Sequence, residues 1–283
     1  MKINLIHLAQ RPAPMRLGCF ILALLLLWLP FAIPIYLLLH DSNLVSILTM
    51  VLLYVDFIFL LRLWGKYVYQ EPHLLRHYGL EFSRQNGVDL LRGLAIGIIT
   101  TLILFGLQGA FGWLVWQQPH VFLLKIILEG LIVGFGVGFA EELLFRGWLL
   151  NELQRNYSPR ISLWTDAILF AGLHFIKPLE AIIHTLPQFP ALVLLGLTQV
   201  WGKSWRRGRL GLPIGLHGGL VWGYYIINIG GLIKYSGQVP DWVTGVNNNP
   251  LQGAMGVFFM SILALWMRGR TTNSLSPNGV NTP

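Results

Sequence analysis

The sequence predicts an all-α protein, a polytopic transmembrane helical bundle of about eight spans. Hydrophobic residues make up 54% of the 283 positions and charged residues only 11%, and mean hydropathy is +0.61; no soluble core absorbs that much apolar surface. Apolar stretches able to cross ~30 Å of hydrocarbon, about 20 residues each, recur along the chain. Basic residues crowd into alternate connections, as expected of a chain that crosses a bilayer repeatedly.

Taken in order, the spans run from about Leu17 to Leu39, Leu44 to Trp64, Leu90 to Leu107, Val121 to Leu153, Ile161 to Ile176, Ala191 to Trp205, Leu212 to Ile233 and Leu251 to Met267. Lys2, Arg11 and Arg16 precede the first, whereas the following loop, His40 to Asn43, carries no Lys or Arg. Lys66, Arg76, Arg84 and Arg92 lie around the next connection, and Gln117 to His120 again has none. Arg155 and Arg160, then Lys203, Arg206, Arg207 and Arg209, then Arg268 and Arg270 continue the alternation, with Lys177 and Lys234 as isolated exceptions. Short cytoplasmic loops carry the Lys and Arg excess, so both termini are expected to be cytoplasmic. The chain reads as a multi-pass integral protein of a bacterial-type inner membrane or a related internal membrane.

The net charge of +8 then belongs to loops facing anionic headgroups, which makes the lipid bilayer the expected partner. No nucleic-acid motif occurs and no nucleic-acid partner is expected. The single Cys19 allows no internal disulfide and builds no thiolate metal site alone. No hydrophobic segment precedes it, so a cleaved signal peptide is not expected. The chain divides into N-terminal spans with a cytoplasmic connection at 1–120, a core at 121–233, a last span within 234–270 and a tail at 271–283 whose Asn, Ser, Thr and Pro content reads as disordered. Pro178, Pro187 and Pro190 argue for a loop or re-entrant piece between Lys177 and Pro190. Trp28, Trp64, Trp113, Trp116 and Trp205 near span ends read as interfacial anchors.

Function is carried by ionisable residues where they are most costly. Glu141, Glu142 and Arg146 interrupt the apolar run from Val121 to Leu150, and each charge at mid-bilayer costs roughly 2.5 to 3.5 kcal/mol on insertion scales. Glu142 and Arg146, four apart, can pair on one helix face, while Glu141 points about 100° away and escapes that pairing. Gly130, Gly134 and Gly138 continue the same four-residue rhythm and form a ridge for close helix contact. The turn signal Asn156 to Arg160 makes the fourth and fifth spans antiparallel neighbours. Glu142 lies sixteen residues before Ser158 and His174 sixteen after it, which brings the two to nearly one depth. His217 follows a basic loop by a few residues and belongs shallower unless that loop dips inward. Asp56 reads as a structural partner, and His184 as a loop residue.

Glu141-Glu142-x-x-x-Arg146, Phe170-x-x-x-His174 and His217, in that order over Phe139 to Tyr225, resemble the motifs of the CPBP (Abi) membrane proteases, which include the type II CAAX prenyl endopeptidases and bacteriocin-processing or self-immunity proteins. The resemblance implies a CAAX-protease-like core at 121–233 and hydrolysis of a peptide bond in a membrane-associated or prenylated substrate. Catalysis is then expected from Glu141, Glu142, Arg146, His174 and His217, with Glu141 as the base. The family has Asn or Asp four residues after its last histidine, whereas this chain has Val221, and Asn228, about 16 Å further along a helix, does not replace it. The two histidines either position water and stabilise an oxyanion or bind zinc together with Glu142; no His-Glu-x-x-His helix is present. The alternatives are a noncatalytic adaptor or immunity-type protein on the same fold, and a transporter, which would spread polar residues along several spans.

Overall fold

The computed structural model describes residues 5–119 and 122–275. Lys2, His120, Val121 and 276–283, read above from the sequence, lie outside the described residues. Each apolar stretch named above is helical over most of its described length, although Ile233, at the end of the seventh, lies in a short strand, and among the described residues five helices are long and apolar enough to cross a membrane: Ala13–Leu38, Ser42–Tyr69, Arg84–Ala110, Leu123–Gln154 and Leu179–Trp205. The remaining expected spans do not reach that measure. Pro159–Leu173 has only 15 residues, about 22 Å of helix, and Gly211–Ile229 is buried along most of its length. A helix enclosed by other helices need not be apolar on every face. The chain forms two compact units, Met1–Tyr78 with Asn151–Tyr157, and Gly79–Leu150 with Ser158–Pro283.

In the first unit, α1 (Ala13–Leu38) packs on α2 (Ser42–Trp64). Asp41 caps α2 by accepting from the amides of Asn43 and Leu44. Phe20 sets its ring edge-on to Phe57 and Trp64, with centroids 5.8 and 5.2 Å away, so Trp64 is a core residue and not an exposed anchor. Arg16, counted above as a loop charge, is buried: its Nε donates to Glu152 Oε2 at 2.8 Å and its Nη1 to Asn156 Oδ1 at 2.8 Å. Tyr69 donates to the other oxygen of Glu152 at 2.6 Å. Burial and the adjoining Glu152 carboxylate push the Tyr78 hydroxyl well above its usual pKa. Asp56 is buried, and its Oδ2 accepts no hydrogen bond among the described residues.

The second unit is assembled on α3 (Arg84–Ala110), α4 (Leu123–Glu142), α5 (Pro159–Leu173), α6 (Leu179–Thr185), α7 (Phe189–Trp205), α8 (Gly211–Ile229) and α9 (Ala254–Leu275). Two short strands, β1 (Leu114–Trp116) and β2 (Ile233–Tyr235), pair antiparallel with Val115 opposite Lys234. Helix α8 is the centre, lying parallel to α3 and antiparallel to α4. Its approach to α3 is backbone on backbone: a Cβ on Gly215 would sit 1.9 Å from the Leu90 carbonyl oxygen, and one on Gly97 would sit 2.5 Å from that of Leu216. The glycine ridge of α4 packs as expected, with Gly134 and Gly138 against Gly218 and Gly130 against Tyr225 and Trp222.

The proline-rich segment corrects the expectation of a loop. Pro178 caps α6, Pro187 lies in a short 3-10 turn and Pro190 in the first turn of α7. Each sits where no intrahelical N–H bond is needed, so helix continues almost unbroken from Leu179 to Trp205. His184 accordingly lies in the last turn of α6. Helix α9 continues through Leu275, five residues into the segment read as tail. Gly215→Ala is expected to lower stability in detergent by roughly 1 to 3 kcal/mol through overpacking. Gly136→Ala, whose Cβ would meet nothing within 4 Å, should melt like the unmodified protein, and paired melting curves check both.

Candidate active site

Helix α4 ends at Glu142 and the chain continues as a π-helical stretch, Leu143–Leu149. Such single-turn widenings occur often at functional sites, and in this one both flanks are buried, so that Glu142 and Arg146 have no exposed surface at all. Arg146 Nη1 donates to Glu142 Oε1 at 3.1 Å, the expected i to i+4 pair, and Nη2 donates to the Gly196 carbonyl of α7 at 3.1 Å. Its guanidinium also lies 4.3 Å from the Phe170 ring centroid. Two partners were not anticipated from the sequence. Asp166 of α5 places Oδ2 3.4 Å from Arg146 Nε, and Lys203 Nζ donates to the Arg146 carbonyl at 2.6 Å. Asp166 interrupts an apolar span, which was a usable signal. Lys203, which its place in the sequence groups with the basic loop, is buried on α7.

His217 is brought to the carboxylates because α8 begins inside the protein. Leu210 donates its amide to the Gly79 carbonyl at 3.0 Å and Gly211 to Asn86 Oδ1 at 2.7 Å, so the preceding loop does dip inward. Ring atom Nδ1 of His217 lies 2.8 Å from Glu142 Oε1, and an N–H there donates to the carboxylate, leaving Nε2 directed elsewhere. His174, the residue that closes α5, has Nδ1 2.7 Å from the Phe170 carbonyl; it too donates through Nδ1 and leaves Nε2 free. Both Nε2 atoms lie 3.9 Å from Glu141 Oε2. That oxygen is buried and accepts no hydrogen bond among the described residues, while the Glu141 side chain as a whole keeps 29% of its exposure. The expected juxtaposition of a glutamate with His174 is thus present, with Glu141 as the glutamate. The helices involved meet differently from the expectation, since α5 packs chiefly on α7 and meets the fourth span mainly along its π-helical stretch.

The proposed ligand set of His174, His217 and Glu142 is not assembled. Glu142 Oε1 is engaged by Arg146 and by the Nδ1 side of His217, and no group of three His, Cys, Asp or Glu among the described residues has metal-holding geometry. The carboxylate lying between the two Nε2 atoms is Glu141. A cavity of about 280 Å³ adjoins it, lined by Glu141, His174 and His217 at one end and by Val221, Leu192 and Phe105 beyond them. Val221 therefore faces the site; Asn228 is exposed and does not.

Glu142→Gln removes one of the two carboxylates facing the buried Arg146 and leaves Asp166, and breaking a buried ion pair costs up to about 3 to 5 kcal/mol. Thermal melts in detergent should show that loss for Glu142→Gln and a much smaller one for Glu141→Gln, whose Oε2 accepts no hydrogen bond among the described residues.

Residues 123–223 match a family model described as type II CAAX prenyl endopeptidase Rce1-like. The uncharacterized protein YpbD of Bacillus subtilis (strain 168) is 34% identical over 102 residues, which cover 35% of this chain and 40% of YpbD. The match thus spans less than half the length of that relative. No solved structure gives a significant match. The matched segment contains Glu141, Glu142, Arg146, Asp166, His174, Lys203 and His217. Residues 123–223 of this helical membrane protein are thus similar to the type II CAAX prenyl endopeptidase Rce1-like family.

Proposed function

We propose that the protein is an intramembrane endopeptidase in which Glu141 activates a water, held between His174 and His217, to hydrolyse a peptide bond in a membrane-associated substrate. One observation carries this reading: Glu141 Oε2 faces two imidazole Nε2 atoms at 3.9 Å each. That spacing is too long for a direct hydrogen bond and fits a single water about 2.8 Å from each atom. As the water oxygen bonds the carbonyl carbon, Glu141 Oε2 takes one of its protons and the carbonyl π pair moves onto oxygen. Protonated His217 donates from Nε2 to that oxyanion, its positive charge balanced through Nδ1 by Glu142. Glu141 then returns its proton to the amide nitrogen, the C–N bond breaks, and the remaining proton of the new acid leaves through Glu141 or His174. His174, oriented by the Phe170 carbonyl, holds the water. Arg146 fixes Glu142 and acts through it.

Val221 favours a second reading, a noncatalytic adaptor on the same fold, because valine donates nothing to an oxyanion. Two features support hydrolysis against it. Both Nε2 atoms face the gap, and the cavity is lined by further polar side chains, Thr100, Gln188 and Asn249. With purified protein and panels of prenylated and unprenylated peptides, Glu141→Gln is expected to reduce hydrolysis by roughly 10² to 10⁴-fold, the usual range for losing a general base, with the protein still folded. His174→Ala should also lose activity. Full activity in Glu141→Gln overturns the assignment of the base, and no hydrolysis by the unmodified protein across both panels turns the preference to the adaptor.

A further inference from the structure

The two ends of the second unit differ in chemistry. At the end formed by the starts of α3, α5 and α8 and the finishes of α7 and α9, basic residues gather and the packing is closed. Asp89 accepts from Arg206 at 2.7 Å and from Arg209 at 2.8 Å, Gly211 is tied to Asn86, and Lys203 is buried on the Arg146 carbonyl. No cavity-lining residue comes from this end. Thr100, Thr101, Leu104 and Phe105 belong to the later half of α3, Leu192 and Leu195 to the first half of α7, Val221 and Tyr224 to the second half of α8, and Gly256 and Met260 to the first half of α9. From Glu141 the cavity runs away from the basic loops, toward Gln188 and the loop Asn249 to Leu251. His174, at the same side of the site, keeps 30% of its exposure.

The far end of this apolar cavity holds a built polar feature. Gln188 is buried to 9% exposure, and its Oε1 accepts from Asn249 Nδ2 at 3.1 Å. Asn249 is itself locked, its Oδ1 accepting the Leu251 amide at 3.0 Å. With its oxygen held, the Gln188 carboxamide has its Nε2 donor without a protein acceptor among the described residues.

We propose that substrate enters from the end of the bundle opposite the basic loops, the non-cytoplasmic side, as an extended apolar peptide segment whose main-chain carbonyl is bound by the Gln188 carboxamide at the far end of the cavity from Glu141. The inference rests on the hydrolytic reading above and on assigning the basic loops to the cytoplasm. It names the substrate class: a peptide or membrane-protein segment presented at the outer face of the membrane. The apolar walls accept its side chains, and the single amide donor satisfies a backbone carbonyl that would otherwise be buried unpaired.

Because Cys19 is the sole cysteine, a Cys19→Ser background permits single-site labelling. Leu251→Cys and Val221→Cys mark the mouth and the interior of the cavity, and Arg207→Cys marks the basic end. A membrane-impermeant maleimide applied to intact spheroplasts is expected to label the first two and spare the third, with the reverse in inside-out vesicles. Labelling of Val221→Cys only from the side that labels Arg207→Cys, or from neither side, overturns the proposal. This readout needs no catalysis, so it stands or falls separately from the hydrolytic reading. Where hydrolysis is measured, Gln188→Leu should raise KM about five- to tenfold with kcat kept, as for loss of one hydrogen bond to bound substrate. An unchanged KM removes Gln188 from the binding role.

Discussion

A carboxylate and a guanidinium with no exposed surface, Glu142 and Arg146, set the terms for everything around them. Removing both from water costs several kcal/mol per ion, and their mutual attraction offsets this only when the remaining donors and acceptors are satisfied. Each neighbour meets part of that demand. Gly196 offers a carbonyl to Nη2, Asp166 stands beside Nε, Phe170 covers the guanidinium face, and His217 uses Nδ1 to bond the same Glu142 oxygen. Four helices are thereby committed to one point, and the imidazole of His217 receives its orientation from the buried pair.

Glycine makes that convergence geometrically possible. A side chain at Gly215, Gly97 or Gly134 would collide with a facing backbone carbonyl, so α3, α4 and α8 approach at backbone contact. The closeness carries His217 inward to the level of the glutamates, despite its short distance in sequence from a basic loop. Dispersion between tightly apposed helices substitutes here for the hydrophobic driving force that lipid does not supply. Stability and site geometry therefore depend on the same small residues.

Chemistry is divided across the site by this packing. On one side lie Arg146, Asp166 and Lys203, buried and mutually engaged; on the other an apolar cavity meets Glu141 and His174, which retain partial exposure. Glu141 and Glu142 are neighbours in sequence yet occupy opposite environments, because a helix turns about 100° per residue. One faces the ion network, and the other faces the space where a reacting group fits.

The sequence by itself determined the helical membrane class, the pairing of Glu142 with Arg146, the glycine ridge of α4 and the separation of Glu141 from that pair. All follow from local periodicity and from the cost of charge in hydrocarbon, and neither needs a tertiary partner to be evaluated. Tertiary structure decided the rest. Which imidazole nitrogen meets which glutamate depends on where α8 begins, and that is fixed by Leu210 on Gly79 and Gly211 on Asn86, contacts more than a hundred residues apart in the chain. Asp166, Lys203 and Gln188 carry no motif, and their roles arise only because α5 and α7 are packed beside Arg146 and the cavity. The prolines of 178–190 read as breakers because their helix-terminal positions are invisible until the helices are placed. Spacing along a chain measures depth and rotation within one helix, while contact between helices depends on side-chain volume at a distance that no local pattern records.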